Sequence, residues 1–431
     1  MHSRFKFVVL STSTCLLVLL LVGAHLGRSA SPTDDAYRHM AVFSEVLSRI
    51  KSDYVEEPDL KSVTLGAVNG LLEAIDPFAS YLNADQYKQY VRDKDTYKGD
   101  LGMVLAKRFG YVAVVSTLPG SPAAQAGISS GDLIESIKGV ATRDMPLAFA
   151  ELLLKGQPGT KVDISMLHLP DPETQKVTLT RAPVLIPLVT GLMLADQIGY
   201  IRPETLVTGK SAEISGAVRN LEKQGAKGLI LDLRQCAAGT AEEGIALANL
   251  FLDRGLMTYL VGQRVPRQEF RADAAKAVTK LPLVVTTNGG TADGAEIAAT
   301  ALLENKRAEV VGGRTFGDAA IRRAVTLADG GALILSVAKY YTPQGKAIQD
   351  TGVVPSVPYV ESEPDSEDED QAPHPLAPKA PVKPEDDNLL KKAVEVLTKG
   401  PAAASGQAAA AGSTRPTPGD LQPGPLGVPR K

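Results

Sequence analysis

Apolar positions recur along this chain with periods that divide it into segments. An apolar run from Phe7, preceded by Arg4 and Lys6 and interrupted only between Ser11 and Thr14, marks residues 1–30 as a secretory signal peptide or an uncleaved signal anchor. Over residues 37–55, Phe43, Leu47, Ile50 and Tyr54 share one helical face. Over 63–75, Ala67, Val68, Leu71 and Leu72 do the same, and Asp76-Pro77 ends that second helix. Residues 31–95 therefore read as a small helical unit.

From 96 to 183 the pattern shifts to short β-branched or alternating runs at 111–116, 133–137, 161–166 and 177–181. Turn signals at Pro119-Gly120, Gly131-Asp132 and Pro158-Gly159 separate them, and one apolar helix is predicted at 147–154. Residues 184–360 alternate apolar strands (198–202, 228–233, 283–287, 308–311) with helical stretches (212–223, 241–252, 295–305), and 331–341 adds a further strand. That alternation predicts an α/β core with helices covering a largely parallel sheet.

Beyond 360 the character changes. Residues 361–370 hold seven carboxylates in ten positions and a proline-rich run follows to Pro384, so no core can be built there. The tail, 361–431, regains helical spacing only near 385–398, through Leu389, Ala393 and Leu397, and ends in Ala, Gly and Pro.

Composition adds limits. With 44% hydrophobic and 22% charged residues over 431 positions, the chain is of soluble globular type and long enough for several domains. A net charge of −3 gives no hint of nucleic-acid binding, and membrane contact is expected only through the N-terminal run if it stays uncleaved. The two cysteines are Cys15 and Cys236, so a processed chain forms no internal disulfide, and Cys236 reads as a small buried apolar group. No histidine falls near a chemically suggestive segment, which argues against a Ser-His-Asp triad or a zinc site.

The chemistry-bearing segments are Thr291-Ala292-Asp293-Gly294-Ala295-Glu296-Ile297 and Arg314-Thr315-Phe316-Gly317-Asp318. With Asp76-Pro77-Phe78-Ala79-Ser80-Tyr81-Leu82, Gly127-Ile128, Gly131-Asp132, Pro158-Gly159-Thr160, Leu231-Asp232-Leu233-Arg234 and Tyr340-Tyr341-Thr342-Pro343, they resemble, in order, the motifs of the C-terminal processing peptidases, or tail-specific proteases. The resemblance runs from about Phe43 to Pro358. It implies a helical cap that helps chains dimerise, a PDZ-like domain over 96–183, and a serine peptidase core over 184–360 that acts near polypeptide C-termini without metal or cofactor. It further implies that Leu101, Gly102, Met103 and Val104 present N–H groups to a peptide's terminal carboxylate beside the helix at 147–154.

The same resemblance exposes a departure. The nucleophile position carries Asp293, the general-base lysine position carries Asp318, and a third polar position four residues on, usually glutamine, carries Arg322. The oxyanion loop reads Arg234-Gln235-Cys236-Ala237-Ala238-Gly239, keeping Gly239 but placing Ala238 at the other glycine. A carboxylate has no proton to surrender to a base, so a pseudopeptidase follows, exported to the periplasm or anchored facing outward. Asp293 with Glu296 forms the pattern of a capping box, which leads one to expect a helix cap, an ion pair with Arg322, or a carboxylate pair with Asp318. Thr291 and Ser336 are the remaining nearby hydroxyls. The alternative reading is an active endopeptidase using one of these groups.

Overall fold

The computed structural model describes residues 32–94, 96–143, 145–168, 174–359 and 383–400; the expected signal segment and most of the tail lie outside them. Residues 1–67 and 68–431 are separate units, each described by itself. In the first, helix α1 spans Pro32–Asp53, and α2, Leu60–Glu73, begins there and ends in the second unit. Phe43 and Tyr54 of the predicted apolar face are 38% and 62% exposed. No described helix is long and apolar enough to cross a membrane.

The second unit continues with strand β1 (Ser80–Leu82) and helix α3 (Ala84–Asp93), whose N-cap Asn83 forms a complete capping box with Gln86. A β-rich domain follows: β2 (Met103–Arg108), β3 (Tyr111–Thr117), α4 (Pro122–Gln125), β4 (Leu133–Ile137), β5 (Val140–Ala141), α5 (Leu147–Leu154), β6 (Lys161–Leu167) and β7 (Thr174–Thr180). Its sheet runs β2-β3-β4-β6-β7, so β2 is an edge strand. Ile134, Ile137, Ile164 and Met166 fill its core, and Ala237, Ala292 and Phe316 from the following domain join the same cluster.

The core is α/β. Its elements are β8 (Thr190–Met193), β9 (Ile198–Arg202), α6 (Lys210–Lys223), β10 (Gly228–Asp232), α7 (Ala241–Phe251), β11 (Leu256–Gly262), β12 (Val265–Arg271), β13 (Leu283–Thr287), α8 (Gly294–Glu304), β14 (Glu309–Gly312), β15 (Ala320–Thr326), β16 (Ala332–Tyr341), β17 (Val357–Pro358) and α9 (Asn388–Lys399). The main sheet, β17-β14-β13-β10-β9-β8, is parallel except where β8 meets β9, as expected of strands that are apolar throughout and covered on both faces. Strands β1, β16, β11 and β12, with β15 on β16, form a second, antiparallel sheet that the alternation in sequence did not disclose.

One face of the main sheet is closed by α9, whose Leu390, Ala393 and Val396 pack on Ile198, Tyr200, Ile230, Val284 and Val311. Its cap, Asp387, reaches Arg234 at 2.6 Å, and Arg234 in turn holds the fully buried Asp232. Although burial pushes the Asp232 carboxyl up, the Arg234 hydrogen bonds and charge, with Arg202, hold it down at about 2. Tyr200 and Thr286 donate to the same carboxylate at 2.7 Å.

Helices α7 and α8 meet backbone to backbone. A Cβ on Gly244 would stand 2.0 Å from the Gly294 carbonyl oxygen, and one on Gly294 would stand 2.3 Å from that of Thr240. This crossing brings the starts of both helices together. Gly244→Ala is expected to force α7 off α8 and to cost about 3 kcal/mol, at the upper end of overpacking penalties. Denaturant unfolding would measure it; an unchanged midpoint would show that the crossing tolerates a methyl group.

Candidate active site and its replaced residues

The loop after β10, the start of α8 and the loop before β15 converge on a cavity of about 720 Å³. Ala238, Gly239, Asp293, Asp318 and Arg322 line it, with Phe78, Val104, Leu105 and Glu151 opposite. The structure thus gathers the nucleophile, base, third polar and oxyanion-loop positions at one place.

Asp293 adopts φ 54°, ψ −127°, a conformation sparsely populated outside glycine. The turn is held from outside, because the Asp293 N–H donates to the Asp318 carbonyl at 2.8 Å. The side chain makes no cap hydrogen bond to α8, which corrects the expected capping box. Glu296 is not its partner either. Its fully buried carboxylate accepts from the Thr315 hydroxyl and from the N–H groups of Gly317 and Asp318, both at 2.7 Å.

The expected Asp293–Arg322 ion pair is likewise replaced: the guanidinium grips Asp318 instead. It lies 3.9 Å over the Phe78 ring, and Phe78 meets Phe316 edge-on at 5.9 Å. Burial, and then the neighbouring Asp318 carboxylate, push Asp293 up to about 7, with Arg322 offsetting part of the rise. Burial raises Asp318 as well, against the pull of Arg322. Glu296 is pushed up to about 8 by burial, against its hydrogen bonds from Thr315, Asp318 and Gly317.

Around this pair the 234–239 loop is tied down by backbone hydrogen bonds. The Ala238 carbonyl accepts from Leu206 and the Thr240 N–H returns to Leu206, fixing the loop against the chain before α6. The N–H groups of Ala238 and Gly239 donate to no described group and sit at the cavity wall. Thr291 is spent structurally, donating to the Leu233 carbonyl at 2.8 Å, and the Ser336 hydroxyl is buried without a partner. Cys236 is buried, and that burial pushes its thiol up, out of range for a nucleophile.

At the mouth of the β-rich domain, the Leu101 and Gly102 N–H groups are already taken. Both donate to the Asp100 carboxylate, at 2.6 and 3.2 Å. Asp100, which the sequence reading passed over, occupies these two donors; its signal was a carboxylate one residue before the loop expected to bind one.

An antiparallel edge-strand domain set against an α/β core with a strained strand-to-helix turn defines a PDZ-bearing peptidase scaffold. The profile of peptidase family S41 matches residues 197–359, and that of the PDZ domain matches 114–165. The carboxy-terminal processing protease CtpA of Bacillus subtilis is 32% identical over 360 residues, covering 82% of this chain and 76% of its own. The carboxyl-terminal-processing protease of Synechocystis is 33% identical, covering 71% and 73%. Among solved structures, the photosystem II D1 C-terminal processing protease superposes with a TM-score of 0.61 at 29% identity, over 74% of this chain and 86% of that one. The chain belongs to peptidase family S41, with the carboxy-terminal processing proteases.

A carboxyl that titrates near 7 in the fold and near 4 when unfolded binds its proton more tightly in the folded state. The stability it contributes is fully present below the unfolded value and is lost as pH rises through about 7. Asp293→Ser, which removes the carboxyl, is expected to flatten the fall in unfolding midpoint between about pH 4 and pH 7. Parallel pH profiles for variant and parent would contradict the buried, coupled carboxyl.

Proposed function

We propose that this chain is an exported, catalytically silent member of the family. Its PDZ unit, at 96–183, reads polypeptide C-termini, and its core, at 184–360, serves as a scaffold or regulator, in a homodimer or paired with an active paralogue. The observation that carries the reading is the pairing at the former dyad. The position of the hydroxyl holds Asp293, and the position of the amine holds Asp318, already neutralised by Arg322. Neither group can deliver an alkoxide to a peptide carbonyl. Export rests on the apolar N-terminal run.

A second reading has one specific observation in its favour. Two coupled carboxyls, one titrating near 7, are the ingredients of acid–base hydrolysis without a serine. The full chain is expected to show no hydrolysis of unfolded polypeptides and no labelling of position 293 by a fluorophosphonate. Turnover abolished by Asp293→Ala would establish the carboxyl pair, and turnover surviving it would reveal another nucleophile. The triple change Asp293→Ser, Asp318→Lys, Arg322→Gln should restore weak hydrolysis at best, since it rebuilds the family's catalytic side chains but leaves Ala237 and Ala238 in the oxyanion loop. Complete inactivity of that folded variant would show that the oxyanion loop is damaged as well.

The reader domain has its own measurement. A free peptide C-terminus must compete with Asp100 for the Leu101 and Gly102 N–H groups. Asp100→Ala should therefore tighten binding of a free C-terminal peptide in calorimetry, by roughly the ~1 kcal/mol of a hydrogen bond exchanged. Amidating the peptide should abolish the gain; equal binding of free and amidated peptides by both proteins would remove the C-terminal reader from the proposal.

A further inference from the structure

Asp293 is followed by Gly294, and the pair is held in an unusual geometry. About the Cα–C bond of an L-residue, Cβ lies roughly 120° from the residue's own nitrogen, so ψ near −120° brings Cβ into eclipse with the next residue's nitrogen. Helical and extended residues keep those atoms well apart. At ψ −127°, Asp293 stands within roughly 10° of the near-planar arrangement of a five-membered ring closed through Cγ and the Gly294 nitrogen.

We propose that Asp293-Gly294 is a site of spontaneous succinimide formation and of aspartate isomerisation in the folded protein. The Gly294 nitrogen attacks Cγ of Asp293 and gives its proton to water; the C–N bond forms and the carboxyl oxygen leaves as water. Water then opens the imide. Addition at Cγ returns aspartate, and addition at the Asp293 carbonyl carbon gives isoaspartate, with the backbone running through the former side chain. No oxidant, reductant or cofactor enters.

Independent features of the site favour the reaction. Gly294 has no Cβ to crowd its nitrogen, and the crossing with α7 keeps it glycine. Its N–H donates to no backbone carbonyl outside the helix and points to the Asp293 carboxyl, whose pKa it lowers. The carboxyl lines the open cavity, where water reaches it. The neutral carboxyl is the form that loses water, and at about 7 Asp293 keeps that form at neutral pH. The charged and titratable groups around it are Asp318 and Arg322 from the 314–322 segment, Glu242 of α7, Tyr340 of β16 and Cys236 of the oxyanion loop.

The chain supplies its own controls. Asp329-Gly330 lies in the turn between β15 and β16, where the Asp329 carboxylate accepts from the Gly331 N–H at 2.9 Å. Asn288-Gly289 shares a tryptic peptide with Asp293, but its deamidation replaces nitrogen with oxygen and so shifts the mass differently from the single oxygen exchange that isomerisation brings in ¹⁸O-water.

The full chain is incubated in ¹⁸O-water at 37 °C, folded and in guanidinium. Isoaspartate at each site is then read by electron-transfer fragmentation and by isoaspartyl methyltransferase labelling. Folding ordinarily protects Asp-Gly pairs. Here it should accelerate the reaction at Asp293, about tenfold or more at pH 7 from the larger neutral fraction, while slowing it at Asp329. The folded rate at Asp293 should hold up to about pH 7 before falling, and Asp318→Asn should move that fall to lower pH. Reaction at Asp293 no faster folded than unfolded, or a pH profile matching that of Asp329, would overturn the proposal. Should Asp318→Asn not fold, the parent chain's folded-to-unfolded ratio decides alone.

Discussion

One buried carboxylate keeps the old catalytic positions facing each other. Glu296 sits in the first turn of α8 and fastens Thr315, Gly317 and Asp318 to that helix, far along the chain from it. Without it the Gly317 and Asp318 N–H groups would be left in the protein interior unpaired, at roughly 1–3 kcal/mol each. Because the 315–318 loop is pinned there, the Asp318 carbonyl is in place to take the Asp293 N–H and to hold the turn at φ 54°. The frame of the site is thus held by Glu296 and the backbone of the 315–318 loop rather than by the side chains of Asp293 and Asp318.

Within that frame the charges are close together. Two half-buried carboxyls in one cavity repel, and desolvation disfavours both anions. Arg322 answers by capturing Asp318 while stacking on Phe78. A buried pair of this kind contributes little net stability over apolar residues of similar shape, but removing one partner alone is costly. Asp293, with no partner of its own, absorbs the repulsion by holding its proton.

The sequence disclosed elements whose pattern is local. Helices α7 and α8 and strands β9, β10 and β13 follow directly from apolar runs and 3.6-residue spacing, and the ordered motifs located Ala238, Gly239, Asp293, Asp318 and Arg322, though not Glu151, Tyr87, Tyr90 or Lys94 on the same cavity wall. Strands β12 and β15 were not legible: each is largely exposed, and β12 carries Arg267, Glu269 and Arg271 where alternation would be sought. Their pairing with β11 and β16 is supplied by tertiary contact. The misread cap has the same origin. Asp293-Gly294-Ala295-Glu296 matches a capping box letter by letter, but Glu296 finds better partners across the fold, and nothing local reveals a positive φ at a non-glycine residue. Arg322 was read as a counter-charge to Asp293, and its actual partner, Asp318, is set by the path of the chain from the 314–319 loop into β15, which spacing alone does not reveal.

The position of α9 bears on the order of folding. The apolar face made by Ile198, Tyr200, Ile230, Val284 and Val311 is covered only by a helix that lies beyond the acidic and proline-rich stretch. During synthesis the sheet can pair its strands before that helix is made, and Arg234, already held by Asp232, gains its second carboxylate only when residue 387 arrives. Closure of this core by α9 therefore joins residues far apart in the chain, a long-range step that comes late in synthesis.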